Sequence, residues 1–328
     1  MRRDMKSSAI LAIVVATMAF AQQSAAQTPD AIDPLVVQDA RLASIATRML
    51  VANDHLCRQH MPVTGIVLHS SDQYKGGVAQ GAFRNGNIAV EAVVPGSAAA
   101  IAGVEADDGL AAIANGPVSE LESQGQAPLR DSAYAALADL HGQREIEITV
   151  RREGVESLIR MAPPQGCRAL VEVLSDRGIS ARSDGRVIQV SYGLASAADD
   201  SQLAVIFAHE MGHLVLEHRR RLTAAGVEKG FLGEFGKNRR LNRQVEVEAD
   251  RIAVHLLANA GYDPASAAAF WRTRLGRRAG GGLLRSGTYP SPEARAALSE
   301  SEIAEYLTDR ERPSDAAHLM SLRDQPFD

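Results

Sequence analysis

The spacing of apolar positions changes from stretch to stretch along the chain. Ser7 to Ala21 is an uncharged apolar run. Asp39 to Asn53 repeats apolar residues with a helical period, and Leu42, Ile45, Met49 and Ala52 form one stripe. From about residue 60 to 165, glycines and short apolar alternations predict strands. Ala169 to Leu174 predicts another strand, and Ile179 to Leu194 a hairpin turned at Ser183-Asp184-Gly185, with Val187 to Ser191 as its second strand. Asp200 to Arg220 is apolar almost all round, through Ala204 to Ala208 and Leu214 to Leu216, as a buried helix is. Asp199, Asp200 and Ser201 offer N-caps there, and His218 to Arg221 place cations at the far end. A second helical run spans about Asn238 to Asn259. Asp263-Pro264 opens a short helix with Phe270 and Trp271, and Pro292 to Leu307 forms another. The glycine-rich stretch 222–238 predicts a mobile loop over a cleft, and Arg277 to Gly287, with Gly280-Gly281-Gly282, is a second flexible stretch. The tail from Arg312 is expected to fray.

Within 60–165, Ile88 to Val94 predicts a strand, Pro95-Gly96-Ser97 a turn, and Ala98 to Ala102 one helical turn ended by Gly103. Leu110 to Ile113 is a strand before the Asn115-Gly116 turn, Ser132 to Leu140 a helix, and Glu145 to Val150 a cleanly alternating strand. Cys57 precedes this region and Cys167 follows it. They are the only cysteines of the 328 residues.

Composition narrows the function. A formal net charge of −5 and 4% aromatic residues argue against nucleic acid as a partner. Arg2, Arg3 and Lys6 before the apolar run, and the small residues Ala19-Phe20-Ala21 and Ser24-Ala25-Ala26 after it, read as a secretory signal peptide over 1–26. The run is short for a membrane span, so an exported protein is expected, with an uncleaved inner-membrane anchor as the alternative. In an oxidising compartment the even cysteine pair suggests one disulfide.

The chemistry concentrates in His209-Glu210-Met211-Gly212-His213. Four residues apart on a helix, His209 and His213 direct two imidazoles at one zinc ion, and Glu210 lies where a carboxylate reaches a zinc-bound water. A catalytic zinc takes a third protein ligand and leaves one position open. Glu246-Val247-Glu248-Ala249-Asp250 on the second helix supplies the best candidates. Glu246 and Asp250 share a face, so one can ligate while the other orients a histidine or assists proton transfer. Glu248 is expected to point elsewhere, towards solvent. The competing readings are a decorative histidine pair, an acidic face solvated among Arg239, Arg240, Arg243 and Arg251, and a purely structural zinc site. The last fits poorly, because Cys57 and Cys167 lack structural-finger spacing.

His-Glu-x-x-His followed by Glu-x-Glu-Ala-Asp resembles the HtpX and BepA family of gluzincin metallopeptidases. Ala260-Gly261-Tyr262-Asp263-Pro264 and Thr288-Tyr289-Pro290-Ser291-Pro292 through Arg295 resemble it too. The likeness covers roughly 167–308 and a lead helix near 36–53. It implies His209, His213 and Glu246 as ligands of one Zn2+, Glu210 as general base, and Asp250 as the residue behind a ligand or a proton donor. Where several relatives carry a histidine before the proline, this chain has Tyr289, an ordinary packing residue or a hydrogen-bond donor to an oxyanion. Pro95 through Val104 resembles a PDZ domain, with Asp107-Asp108-Gly109 departing from the usual Gly-Asp and Tyr74-Lys75-Gly76-Gly77 as a candidate carboxylate loop. A β-rich domain without a ligand is its alternative. A Cys57–Cys167 bond would clamp the chain where it enters and leaves this module, closing a loop worth about 4–5 kcal/mol before strain.

The expected fold is α+β: a mainly helical zincin-type peptidase core with a small β-sheet and an inserted β-rich PDZ-like domain. The divisions are 1–26 signal peptide, 27–57 lead helix, 58–166 PDZ-like domain, 167–310 metallopeptidase domain and 311–328 tail. The expected function is zinc-dependent cleavage of unfolded or mis-assembled envelope proteins in the periplasm, with envelope assembly machinery as a further partner. The alternative is a chaperone or adaptor that binds through the PDZ-like module over a latent zinc site.

Overall fold

The computed structural model describes residues 34–74, 81, 83–123, 128–227, 236–279, 290–308 and 313–327. The leader read over 1–26, Lys75-Gly76-Gly77, residues 228–235 of the first loop, Gly280-Gly281-Gly282 and Tyr289 lie outside them.

Helix α1 (Pro34–Ala52) leads into strands β1 (His60–Pro62), β2 (Ile66–Ser70) and β3 (Ile88–Val93), the single turn α2 (Ala98–Ile101), β4 (Gly109–Ile113) and β5 (Gly116–Pro117). Helix α3 (Leu129–Ala138) and strands β6 (Ile146–Arg152), β7 (Val155–Met161) and β8 (Gln165–Cys167) complete this region. Strands β9 (Leu170–Leu174), β10 (Ala181–Ser183) and β11 (Val187–Ser191) follow, then helices α4 (Tyr192–Ala197), α5 (Asp200–Val215) and α6 (His218–Ala224). Helices α7 (Gly236–Asn259), α8 (Ala265–Arg272), α9 (Arg274–Ala279), α10 (Pro292–Tyr306) and α11 (Ala317–Met320) end the chain.

The larger buried cluster is helical. Leu42, Ile45 and Met49 of α1 pack with Leu203 to Ala208, Met211 and Val215 of α5 and with Ile252 to Leu257 of α7. Helix α5 is anchored at its start by a capping box: the Asp199 carboxylate accepts from the Gln202 amide at 2.8 Å, and the Asp199 amide donates to Gln202 Oε1 at 3.3 Å. A small sheet lies beside these helices in the order β10-β11-β9, with β10–β11 antiparallel and β11–β9 parallel. Strand β10 is therefore its edge. The turn before β11 closes because the Asp184 carboxylate accepts from the amides of Arg186 and Val187 and Gly185 takes φ +86°.

The second buried cluster belongs to a five-strand antiparallel path, β2-β3-β4-β6-β7, covered by α3. Ile88, Val90, Ile146, Ile148 and Val150 alternate into it. Strands β1 and β8 pair where the chain enters and leaves this region, with His60 opposite Cys167. Cys57 and Cys167 are bonded there, their Cα atoms 5.5 Å apart. The outward edge of β2 is closed: the Leu68 amide donates to the Tyr134 hydroxyl of α3 at 2.7 Å, and the Ser70 amide donates to Gln73 Oε1. Every residue of β2 is buried. The opposite terminal strand, β7, is the exposed one.

Several expectations need correction. The helix read over Asp200 to Arg220 ends at Val215, and Glu217 at φ +51° turns the chain into α6. Strand β7 had no counterpart in the sequence reading, because Glu156, Ser157 and Arg160 break its apolar alternation on an exposed strand. Residues up to Ala279 in the stretch read as flexible are helical. The tail does not fray over 313–327: Ala316 and Leu319 are buried, and the Ser314 hydroxyl lies 2.7 Å from His255 Nδ1. Glu302, itself buried, meets His255 at 3.0 Å, His318 at 2.6 Å and Arg251 at 2.5 Å.

Burial opposes the charge on Glu302, but its hydrogen bonds from His255, Arg251 and His318 hold its carboxyl below the ordinary value. A lowered folded pKa contributes stability above the unfolded pKa, near 4.3, and loses it as pH falls through the folded value. Chemical denaturation should thus show Glu302→Gln less stable than the unaltered chain at neutral pH, with the gap closing in acid; a gap that widens in acid would contradict it. Non-reducing peptide mapping of the protein purified without reductant should recover Cys57 and Cys167 in one cross-linked species, and two free thiols would refute the bond.

Candidate metal centre

Helix α5 puts His209 and His213 one turn apart, with their Nε2 atoms 3.3 Å from each other. Across from them, α7 presents Glu246, whose Oε2 is 3.3 Å from His209 Nε2 and whose Oε1 is 3.6 Å from His213 Nε2. Bonds of about 2.0–2.1 Å to a tetrahedral ion demand donor–donor edges of about 3.3–3.4 Å. The two imidazoles, and the carboxylate oxygen nearest each of them, stand 3.3 to 3.6 Å apart, near that spacing, so two imidazoles and one carboxylate fit a zinc-like dication. A second cluster, His255, Glu302 and His318, also brings ligand-type atoms together. There the separations from Glu302 Oε1 are 3.0 and 2.6 Å, hydrogen-bond lengths that an ion would have to force apart.

Asp250 sits one turn beyond Glu246, and its Oδ1 is 3.0 Å from His209 Nδ1. The carboxylate accepts there, so His209 carries a proton on Nδ1 and turns Nε2 towards Glu246. Asp250 also takes two hydrogen bonds from Arg295 of α10, at 2.5 and 2.6 Å. The Arg295 guanidinium lies 3.5 Å over the Trp271 ring and is almost fully buried. With Asp250 engaged by His209 and Arg295, its geometry suits an orienting residue better than a proton donor. Arg295 closes the motif that begins at Thr288, and nothing in its sequence neighbourhood assigns it a role. One arginine in the first turn of a polar helix has no periodic signal, and only folding carries it to a site 45 residues upstream.

Glu248 is a correction. It is buried, not solvated: its carboxylate meets His218 Nε2 at 3.0 Å and Arg221 of α6. On a straight continuation of α5, residues 213 and 218 would face different ways; the turn at Glu217 brings His218 back beneath His213.

Glu210 is buried beside the donors, in a cleft of about 480 Å³. Edge strand β10 lines one side of this cleft, and Leu194, Ile206, Phe270 and Trp271 give it apolar walls. Burial pushes the Glu210 carboxyl up to about 7. Burial opposes charge on His209 as well, but Asp250 and Glu246 outweigh it and push the imidazole up to about 10. Burial would raise Glu246, yet the His209 hydrogen bond and both imidazoles hold it at about 2. A site so rich in anionic charge is suited to a cation, which would displace the proton that His209 Nε2 shares with Glu246.

Residues 178–233 match peptidase family M48. The matched stretch runs from just before the β10–β11 hairpin through both histidines of α5 and through α6. The chain is also 30% identical over 136 residues to the mitochondrial metalloendopeptidase OMA1 of Arabidopsis thaliana, a match covering 35% of this chain and 27% of that protein. The chain thus spans about a quarter of the length of the curated relative it matches.

Arg295→Leu leaves Asp250 buried without its cation. It should lower stability by about 3–5 kcal/mol, read by urea denaturation of the metal-free protein.

Proposed function

We propose that the protein is a zinc-dependent endopeptidase of the HtpX and BepA type, acting on unfolded or mis-assembled proteins of the cell envelope. One observation carries the reading: His209, His213 and the Glu246 carboxylate converge to within 3.3 to 3.6 Å of one another, with Glu210 beside them in a cleft bordered by a strand edge. The match to peptidase family M48 over 178–233 supports it. His209, His213 and Glu246 would hold a zinc ion, which would supply Lewis-acid polarisation of a carbonyl and acidify a water near neutral pH.

Glu210 takes the proton of the attacking water and returns it to the departing amine nitrogen. Its burial, which sets the carboxyl near 7, places it in the range where a group both accepts and donates. Asp250 and Arg295 keep His209 in the ligating tautomer. Strand β10, Ala181–Ser183, offers backbone groups to an extended substrate, while Phe270 and Trp271 shape an apolar wall. The positively charged start and apolar run before residue 26 support export to the periplasm. The β-rich region between Cys57 and Cys167 is proposed as a PDZ-like module that regulates or recruits. Tyr134 holds the edge of β2, where a peptide would add as a strand, so recruitment through that edge requires α3 to yield. The same contact counts against an adaptor that binds constitutively through this groove.

The test combines metal analysis with casein cleavage and a chelator control. One zinc per chain and chelator-sensitive cleavage are expected. Glu210→Gln should keep the zinc and lose cleavage by about 10²–10⁴-fold or more, the usual worth of a general base. Full activity in that variant overturns the mechanism.

A further inference from the structure

His209 reaches a carboxylate directly through its rear nitrogen; His213 reaches one through an intermediate. His213 Nδ1 lies 2.8 Å from Nδ1 of His218, and His218 Nε2 lies 3.0 Å from Glu248 Oε2. Arg221 donates to both oxygens of Glu248, and Gln244 donates to its Oε1 at 2.9 Å. His218, Arg221 and Glu248 are all buried. No charged group of the metal cage itself is needed to define this chain of contacts.

We infer that Glu248, through His218, fixes the tautomer of His213, so that the second ligand nitrogen is bare before any metal arrives. The direction of each hydrogen bond follows from what each group can do. Arg221 can only donate, so Glu248 beside it is an ionised acceptor. The proton between Glu248 and His218 therefore sits on His218 Nε2. A neutral His218 protonated there has a bare Nδ1, which accepts from His213 Nδ1–H. His213 Nε2 is then left with its lone pair facing His209 Nε2 and Glu246. The opposite arrangement would put a proton on His213 Nε2, where it would block ligation. His218, Glu248 and Arg221 are thus positioning residues for His213, as Asp250 and Arg295 are for His209. Both arrangements run from an arginine through a carboxylate of α7 to the rear of an imidazole of α5.

This inference rests on the metal reading of His209, His213 and Glu246, and the test separates the two. Zinc affinity is measured by chelator competition on the full exported chain, its His218→Leu variant and its His218→Asn variant. Leucine removes the acceptor; asparagine keeps an oxygen close to the position of Nδ1. His218→Leu should bind zinc about 10–100-fold more weakly, the usual cost of losing the partner behind a ligand, and His218→Asn should recover most of that loss. A role confined to packing would lower the unfolding midpoint of His218→Leu while the folded protein bound zinc as tightly as the unaltered chain, and that outcome overturns the inference. Should His218→Leu fail to fold, two-bond ¹H–¹⁵N correlation spectra of the unaltered zinc-loaded chain decide: His213 protonated on Nδ1 and His218 on Nε2 support it, and the reverse pair overturns it. If the unaltered chain takes up no zinc, or keeps it after His213→Ala, the metal reading itself fails and this inference falls with it.

Discussion

The close approach of α5 and α7 is the constraint on which the centre depends. At Gly212 an added Cβ would stand 2.7 Å from Ile252 Cγ2 and 3.2 Å from the Ala249 carbonyl oxygen. Only a residue without a side chain lets the backbones come this near. The histidines of α5 stand on either side of Gly212, and the carboxylates of α7 stand around Ala249. The same contact that fills the core therefore sets the distance from imidazole to carboxylate. Helices packed this closely leave few ways to shift one set without the other.

Holding three carboxylates of one helix away from water is costly unless each is matched. Glu246 faces two imidazoles, Asp250 meets Arg295 and His209, and Glu248 meets Arg221 and His218. The arginines arrive from different elements, α10 on one side and α6 on the other. Charge matching thus ties the late helix and the short helix after the turn at Glu217 into the site. It also gives the two histidines separate partners behind their rings, Asp250 for His209 and His218 for His213.

The region between the cysteines is built on a different economy of contacts. Its own apolar cluster is closed by α3, and the β1–β8 pair and the Cys57–Cys167 bond join its two ends. Tyr134 satisfies an amide on the edge of β2 that would otherwise meet water or a passing strand. Edge strands left open invite pairing, and capping one with a tyrosine is a way to manage that hazard.

Much was legible in the sequence because it depends on local spacing. The stripe Leu42, Ile45, Met49, the apolar run of α5, the pair His209 and His213 at one-turn separation, and Glu246 and Asp250 at the same separation all follow from helical period. The turn at Asp184-Gly185 follows from its side-chain chemistry. The burial of Glu248 was missed because period alone places it away from Glu246 and Asp250; it is buried only because α6 folds back after Glu217. Arg295 and His218 escaped for the same reason, their partners being supplied by other helices. The ordered tail was missed because Ala316 and Leu319 form too short an apolar signal, yet His255 and Glu302 hold it. The sequence by itself determined which residues share a face of a helix; the tertiary structure decided which faces meet, because hydrogen bonds and charge pairs between distant segments exist only once the core has brought their backbones together.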